Sequence, residues 1–394
     1  MNSLLSRLQP YPFERLRALM SSCQPKAGLA PINLQIGEPK HPTPQLITDA
    51  LTKNLSTLAQ YPATLGLESL RQTCATWLKN RYQIDVCPNT QILPTNGSRE
   101  ALFAFVQTII HAEQNKQTKP IIISPNPFYQ IYEGAAFLAG ADTFYVNCLA
   151  PDFMPSWDEV PEGIWTRTQL VFVCSPNNPA GSVMQKFDWQ KLFALQDQYH
   201  FVIASDECYS EIYFEEAPIG CLQAAKELGR SWQNLMMFTS LSKRSNVPGL
   251  RSGFVAGDEQ LIKQFLLYRT YHGSAMSLPT QYASIAAWSD EKHVEENRQL
   301  YQEKFNTVLP ILQSKYTISR PDASFYIWLK VPEQDDLAFT QKLWQEASVQ
   351  VLPGSFLARD TPLGNAGKGY VRIALVAPLE ECVEAAKRIV QIIK

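Results

Sequence analysis

The sequence predicts an α/β protein with a mostly parallel sheet, followed by a smaller α+β unit. Three observations carry this. Between about residues 90 and 260, short β-rich runs alternate with stretches whose apolar residues recur at helical spacing. The runs are apolar at successive positions, as strands covered by helices on both faces must be. After about residue 285 the order changes to a long helical stretch and then to mixed strands and helices.

Taken in chain order, residues 1–35 form an N-terminal arm expected to pack with the smaller unit, with Arg7, Glu14, Arg15 and Arg17 on an amphipathic segment. Residues 36–285 make the large domain. Its strands are expected at 121–124, 143–149, 170–175, 201–207, 234–240 and 251–257, with helices between them such as 99–112 and 187–199. From Leu278 to about Lys315 one or two long helices lead into the small domain, 286–394. There SFYIWLKV (324–331), VQVLPGS (349–355) and GYVRIALV (369–376) alternate with a helix at 337–347, and a last helix begins at Leu379. Ligands of open parallel sheets bind beyond the carboxyl ends of the strands, so chemistry is sought there.

Composition narrows the function classes. The 394 residues are 45% hydrophobic and 18% charged, ordinary for a globular protein long enough for two domains. A formal net charge of −2 gives no electrostatic reason to bind nucleic acid. No apolar run is long enough to span a bilayer, and the N-terminus lacks an apolar signal core and a small-residue cleavage site, so a cytoplasmic protein is expected. The eight cysteines include no CxxC pair and the five histidines no HxH or HxxxH spacing; buried reduced thiols and no metal site are expected.

Four segments at strand ends hold the candidate chemistry. In NGSREALF (96–103), Asn96, Gly97 and Ser98 precede a helix; the turn is either a plain N-cap or a phosphate seat to which Ser98 adds a hydroxyl and Arg99 a charge. SPNNPAG (175–181) reads as a turn that also sets the Asn178 amide at the crevice. Asp206, in SDECYSEIYF, closes an apolar strand, where a carboxylate must cap a loop or face a cation such as a protonated pyridine nitrogen; Tyr209 follows three residues on. In TSLSKRSNVPGLRSGF (239–254), Lys243 is either a solvated lysine or a nucleophile able to form an imine with an aldehyde. Ser240, Ser242 and Arg251 beside it suit a phosphate. The order of these features along the chain is more specific than any one of them.

With these motifs the chain resembles the class I/II aminotransferases of the pyridoxal 5′-phosphate (PLP) fold type I group, across nearly its whole length. The resemblance implies a large domain with a seven-stranded, mostly parallel sheet flanked by helices, and a smaller α+β domain. It implies that Lys243 carries the cofactor and serves as base, that Asp206 pairs with the ring nitrogen, and that Asn178 and Tyr209 bond the phenolic oxygen. The same resemblance gives Gly97, Ser98, Arg99, Ser240, Ser242 and Arg251 to cofactor binding and Tyr129, in PNPFYQIY, to stacking on the ring. It gives Tyr61, in YPATLGLESLR, to the phosphate of a partner subunit and hence implies a homodimer. Arg372, in YVRIALV, would grip the substrate α-carboxylate, and Gly37, in IGEP, would let backbone approach the substrate. Ala180 stands where the family more often has Thr.

The opening LQPYPFERLRALM, YRTYHGSAMSLPTQ (268–281) and SFYIWL (324–329) resemble bacterial succinyldiaminopimelate aminotransferases, which use 2-oxoglutarate or glutamate as partner in lysine biosynthesis. Arg15, Arg17, His272 and Ser274 are candidates for the substrate's additional carboxylates. Rival readings share the fold: an aspartate, aromatic or kynurenine aminotransferase, a carbon–sulfur β-lyase, or a regulator with an aminotransferase-like domain. The last needs a basic helix-turn-helix segment, for which the arm is too short.

Overall fold

The computed structural model describes residues 1–112 and 118–392; the last two residues of the expected small domain lie outside it. Seven strands form the large sheet: β1 (Ile92–Thr95), β2 (Ile121–Asn126), β3 (Asp142–Asn147), β4 (Thr168–Cys174), β5 (Val202–Asp206), β6 (Leu235–Ser240) and β7 (Gly253–Gly257). Their spatial order is β1-β7-β6-β5-β4-β2-β3, and only β7 runs against its neighbours. Successive residues of a strand feed opposite cores. Val171, Val173 and Ile203 pack with Trp77, Trp189 and Trp288 on one face. Leu170, Phe172, Val202 and Ala204 pack with Phe105 and Phe238 on the other. This two-sided burial is why the strands read as unbroken apolar runs.

The six expected strands form, with no end shifted by more than two residues. The seventh, β1, falls in ILPT, a run too short and too proline-interrupted to read as a strand. Pro94 is tolerated there because β1 is an edge strand. The stretch after Leu278 is two helices, Leu278–Trp288 and α2 (Lys292–Gln313), with α1 reserved for Pro12–Met20 in the arm.

The smaller unit is an antiparallel sheet, β9-β10-β8, made of β8 (Tyr326–Lys330), β9 (Leu352–Pro353) and β10 (Tyr370–Ala374). Helices α2, Asp336–Ala347 and Leu379–Gln391 cover it with a core of its own that includes Phe305, Leu312, Leu343 and Ile389. The arm touches both units. Leu16 and Met20 of α1 pack with Trp328, Leu352 and Phe356, and Ile32 and Asn33 pair with Val349 and Gln350. Arg7 instead reaches the Ala141 carbonyl at 3.1 Å and Asp142 at 2.6 Å, at the start of β3. Among the described residues no helix is long and apolar enough to cross a membrane, and no cluster of side chains suits a metal ion.

Candidate active site

The carboxyl ends of β4, β5 and β6 open into a cavity of about 560 Å³ that is also walled by the arm and the small unit. Three strand-end segments explain its polar floor. Asp206 is the last residue of β5 and pairs in register with Cys174, the last of β4. Ser240 ends β6 and caps a one-turn helix, Leu241–Arg244, that carries Lys243; its Oγ accepts the Ser242 N–H at 3.1 Å. Ser98 opens the helix Ser98–Ile109, whose N-cap is Gly97 with φ +80° and no side-chain cap. The capping side chain that a plain N-cap would supply is absent, and the first N–H groups face the cavity end with the helix dipole behind them.

Twelve of the expected residues line this cavity: Gly37, Ser98, Arg99, Tyr129, Asn178, Asp206, Tyr209, Ser240, Ser242, Lys243, Arg251 and Arg372. Gly97 stands just behind its wall; a Cβ there would lie 2.6 Å from Arg251 Nη2. Tyr61 does not line it and is fully exposed. Arg15, Arg17, His272 and Ser274 do not line it either. Arg15 lies over the Phe356 ring at 4.2 Å, and Ser274 bonds Glu100 at 3.0 Å. The arm contributes Tyr11, Pro12 and Phe13 instead.

Contacts within the cavity fix the groups' states. Asp206 is buried; Tyr132 donates to its Oδ2 at 2.8 Å and the Cys208 N–H to its Oδ1 at 3.3 Å. Burial raises its pKa, while bonds from Cys208 and Tyr132 and the charge of Lys243 oppose the rise. Lys243 Nζ donates to the Gly37 carbonyl at 2.5 Å. Burial first, then the Arg372 and Arg251 charges, lower its pKa to about 8, against the opposing influence of Cys208 and Glu38. The Tyr209 hydroxyl lies 3.0 Å from that of Tyr326, and burial drives its pKa well up, so it is a neutral phenol.

Arg372 is a buried charge. It stands on the central strand β10, is 4% exposed, donates to Asn178 Oδ1 at 3.0 Å and the Gln35 carbonyl at 2.9 Å, and lies 4.4 Å over the Tyr326 ring. With its amide oxygen taken, Asn178 is left to donate through Nδ2. Arg99 Nε bonds the Tyr129 hydroxyl at 2.6 Å.

Sequence reasoning missed Tyr132, Tyr326, Cys174 and Cys208. For Tyr132 a local signal existed, since it opens the helix just after Tyr129 and their rings meet edge to face at 5.9 Å. For Tyr326 none did: its partner Tyr209 lies 117 residues away.

The family model for class I and II aminotransferases matches residues 30–389. A crystal structure of an aminotransferase from Neisseria meningitidis is 62% identical and superposes with a TM-score of 0.98, covering 100% of both chains. An LL-diaminopimelate aminotransferase of Aquifex aeolicus is 32% identical over 98% of this chain and 97% of its own. A structure from Thermus thermophilus described as a probable N-succinyldiaminopimelate aminotransferase is 27% identical, with a TM-score of 0.84 over 97% of this chain and 99% of its own.

Proposed function

The chain belongs to the class I and II aminotransferases, a PLP-dependent family, and from that premise we propose that it moves the amino group of N-succinyl-L,L-2,6-diaminopimelate to 2-oxoglutarate, as a cytoplasmic homodimer. One observation supports the reading above others: an amine with a lowered pKa, a buried carboxylate and a buried guanidinium, from three distant segments, meet in one cavity.

The residues present fit PLP. Gly97 is a cradle that any Cβ would obstruct, beside an uncapped helix start and the Arg251 guanidinium, as a phosphate requires. Asp206 is a buried carboxylate braced to hold a proton on a ring nitrogen. When bound, the cofactor supplies an electron sink for the pair left on the substrate Cα as its proton departs. Lys243, with a pKa of about 8, is the amine that would hold the cofactor aldehyde and then serve as base for the Cα proton. Asn178 and Tyr209 would hold the phenolic oxygen, Tyr129 would stack on the ring, and Ser98, Arg99, Ser240 and Ser242 would hold the phosphate. Arg372 orients the α-carboxylate, and Gly37 brings backbone up to the substrate while making way for Tyr326, whose hydroxyl would lie 1.9 Å from any Cβ there.

The choice of donor rests on the far wall. Tyr11, Pro12, Phe13, Ile36 and Leu357 present aromatic and aliphatic surface, which suits the amide and methylene portion of an acyl extension better than a free ammonium group. The name of the Thermus protein and the resemblance of the opening segment agree with it. A second reading, LL-diaminopimelate itself, is favoured by Glu38 at the cavity mouth, which could pair with a distal ammonium, and by the name of the Aquifex relative. Tyr61 is fully exposed beside the exposed Leu55 and Leu58, as residues that meet a second subunit would be.

The test is a donor panel with 2-oxoglutarate: the succinylated and free diaminopimelates, aspartate, phenylalanine and kynurenine. We expect kcat/KM for the succinylated donor to exceed every other by about tenfold or more. A higher value for the free compound would establish the second reading, and multiple-turnover release of keto acid and ammonia from an added β-thioether amino acid without 2-oxoglutarate would point to a lyase. Sedimentation at assay concentration should give a dimer; an active monomer would contradict the role given to Tyr61.

A further inference from the structure

Lys243 stands on a helix of a single turn, too short to fix its own direction. The last carbonyls of a helix have no partners within it. Here two of them, those of Lys243 and Arg244, receive the side-chain amide of Asn297 at 3.2 and 3.3 Å. Asn297 is 3% exposed and belongs to α2, the long helix of the other unit.

What faces its oxygen fixes its orientation: Asn246 Nδ2 at 2.8 Å and His41 Nδ1 at 2.9 Å. His41 Nε2 lies 2.7 Å from Nζ of the buried Lys304, which also reaches the Val376 carbonyl at 3.4 Å, four residues beyond Arg372. Lys304 has only hydrogens to offer, so His41 accepts at Nε2 and carries its proton at Nδ1, as Asn297 Oδ1 requires.

The corner preceding α2 pins the residues just after Lys243. Arg244 donates to the Ala287 carbonyl at 2.8 Å and pairs with Glu291. Ser245 Oγ lies 2.8 Å from His293 Nε2, whose Nδ1 lies 2.6 Å from Asp290. That Ser–His–Asp series has the bonding of a nucleophile relay, but Ser245 is fully buried, so it anchors rather than reacts.

We propose that Asn297 is a positioning residue for Lys243: held by His41 and Asn246, its amide fixes the one-turn helix and thereby the direction from which the Lys243 amine meets its carbonyl partner. The inference rests on the reading of Lys243 as the cofactor-bearing lysine. It is tested with Asn297→Asp, which keeps the acceptor for His41 and Asn246 but removes the donor to the two carbonyls, and with Asn297→Leu, which removes both. Apo protein is mixed with PLP and reduced with borohydride over a time course, and the pyridoxyl group on the Lys243 peptide is measured by mass; kcat, KM and apo melting temperature are measured beside it.

Expected for Asn297→Asp is a trapping rate lower by about ten- to a hundredfold and a kcat lower to match, with KM for the amino donor within about threefold. Wild-type trapping and kcat with only a lower melting temperature would overturn the proposal, as would failure of both variants to fold, which would make Asn297 a structural residue. Lys243→Ala is run in parallel. If it still traps cofactor, the reading of Lys243 has failed; if it does not while Asn297→Asp behaves as wild type, only the role of Asn297 has failed.

Discussion

Replacing Lys243 by Met should stabilise the protein freed of cofactor while abolishing its turnover. Lys243 is part-buried in a polar cavity, and its pKa is lowered from 10.5 to about 8, chiefly by burial. A shift of that size corresponds to about 3 kcal/mol spent at neutral pH on keeping the ammonium charged in the folded state. Met has nearly the same shape and no charge, but it loses the bond to the Gly37 carbonyl, worth about 1 kcal/mol. The net expectation is a gain of about 2 kcal/mol at pH 7, or about 2–3 °C in melting temperature for a chain of this length. The sign with pH follows from the lowered pKa. Between about pH 8 and 10.5 the unfolded chain binds the extra proton, so the wild type gains stability as pH rises through that window and the advantage of Met fades. Lys304, whose pKa is also lowered to about 8, titrates alike in both proteins and drops out of the difference. Urea unfolding of both apo proteins at pH 7 and pH 10.5 measures it. A Met variant no more stable than wild type at pH 7, or a difference independent of pH, would refute the argument that burial of Lys243 is what lowers its pKa.

Three further outcomes are expected. Arg372→Lys should lower kcat/KM for every amino donor by about a hundredfold or more with little change in melting temperature, because an ammonium group cannot hold Asn178, Gln35 and a carboxylate together; steady-state kinetics across two donors checks it. Tyr132→Phe removes the 2.8 Å bond that restrains the pKa of Asp206, so the acid limb of the kcat profile should move to higher pH and kcat should fall by about tenfold; an unmoved limb would refute the role given to that bond. Gly37→Ala places a Cβ 1.9 Å from the Tyr326 hydroxyl and should destabilise the protein by about 1–3 kcal/mol and break the Tyr209–Tyr326 contact, read as a lower melting temperature and a raised KM.

The strands were legible because helices bury both their faces, which turns a sheet into unbroken apolar runs such as LVFVC. Strand β1 was not, because an edge strand with one proline carries little of that signal. The floor of the site was legible for a related reason: in a parallel sheet the chain must leave each strand at the same edge, so Asn178, Asp206 and Lys243 were already aligned by order alone. Residues arriving from elsewhere were not. Tyr326 reaches Tyr209 from a different sheet, and nothing local in SFYIWL marks it. The arm shows where charge misleads. Its helix buries Leu16 and Met20 and turns Arg17 to solvent, while Tyr11 just before the helix and Pro12 and Phe13 in its first turn face the cavity. An amphipathic pattern tells which face is covered but not by what, and here the cavity is walled by uncharged residues at the helix start.

The bonds already made in the cavity distinguish a fixed group from a moving one. Arg372 has five N–H donors and spends one on Asn178 and one on the Gln35 carbonyl. Its Nε is buried with no partner among the described residues, and one hydrogen on each Nη remains. The guanidinium can therefore take a carboxylate through two parallel bonds without releasing either anchor, so it is oriented before the substrate arrives. Lys243 is the reverse case. The one hydrogen bond that its amine makes among the described residues, to the Gly37 carbonyl, holds it without being part of any reacting geometry, and its pKa of about 8 leaves a neutral fraction at physiological pH. The role proposed for Lys243, nucleophile and proton carrier, requires it to leave its resting partner at every turnover. The structure gives that amine a single side-chain tether among the described residues, and gives the guanidinium proposed to stay still a central strand and two anchors.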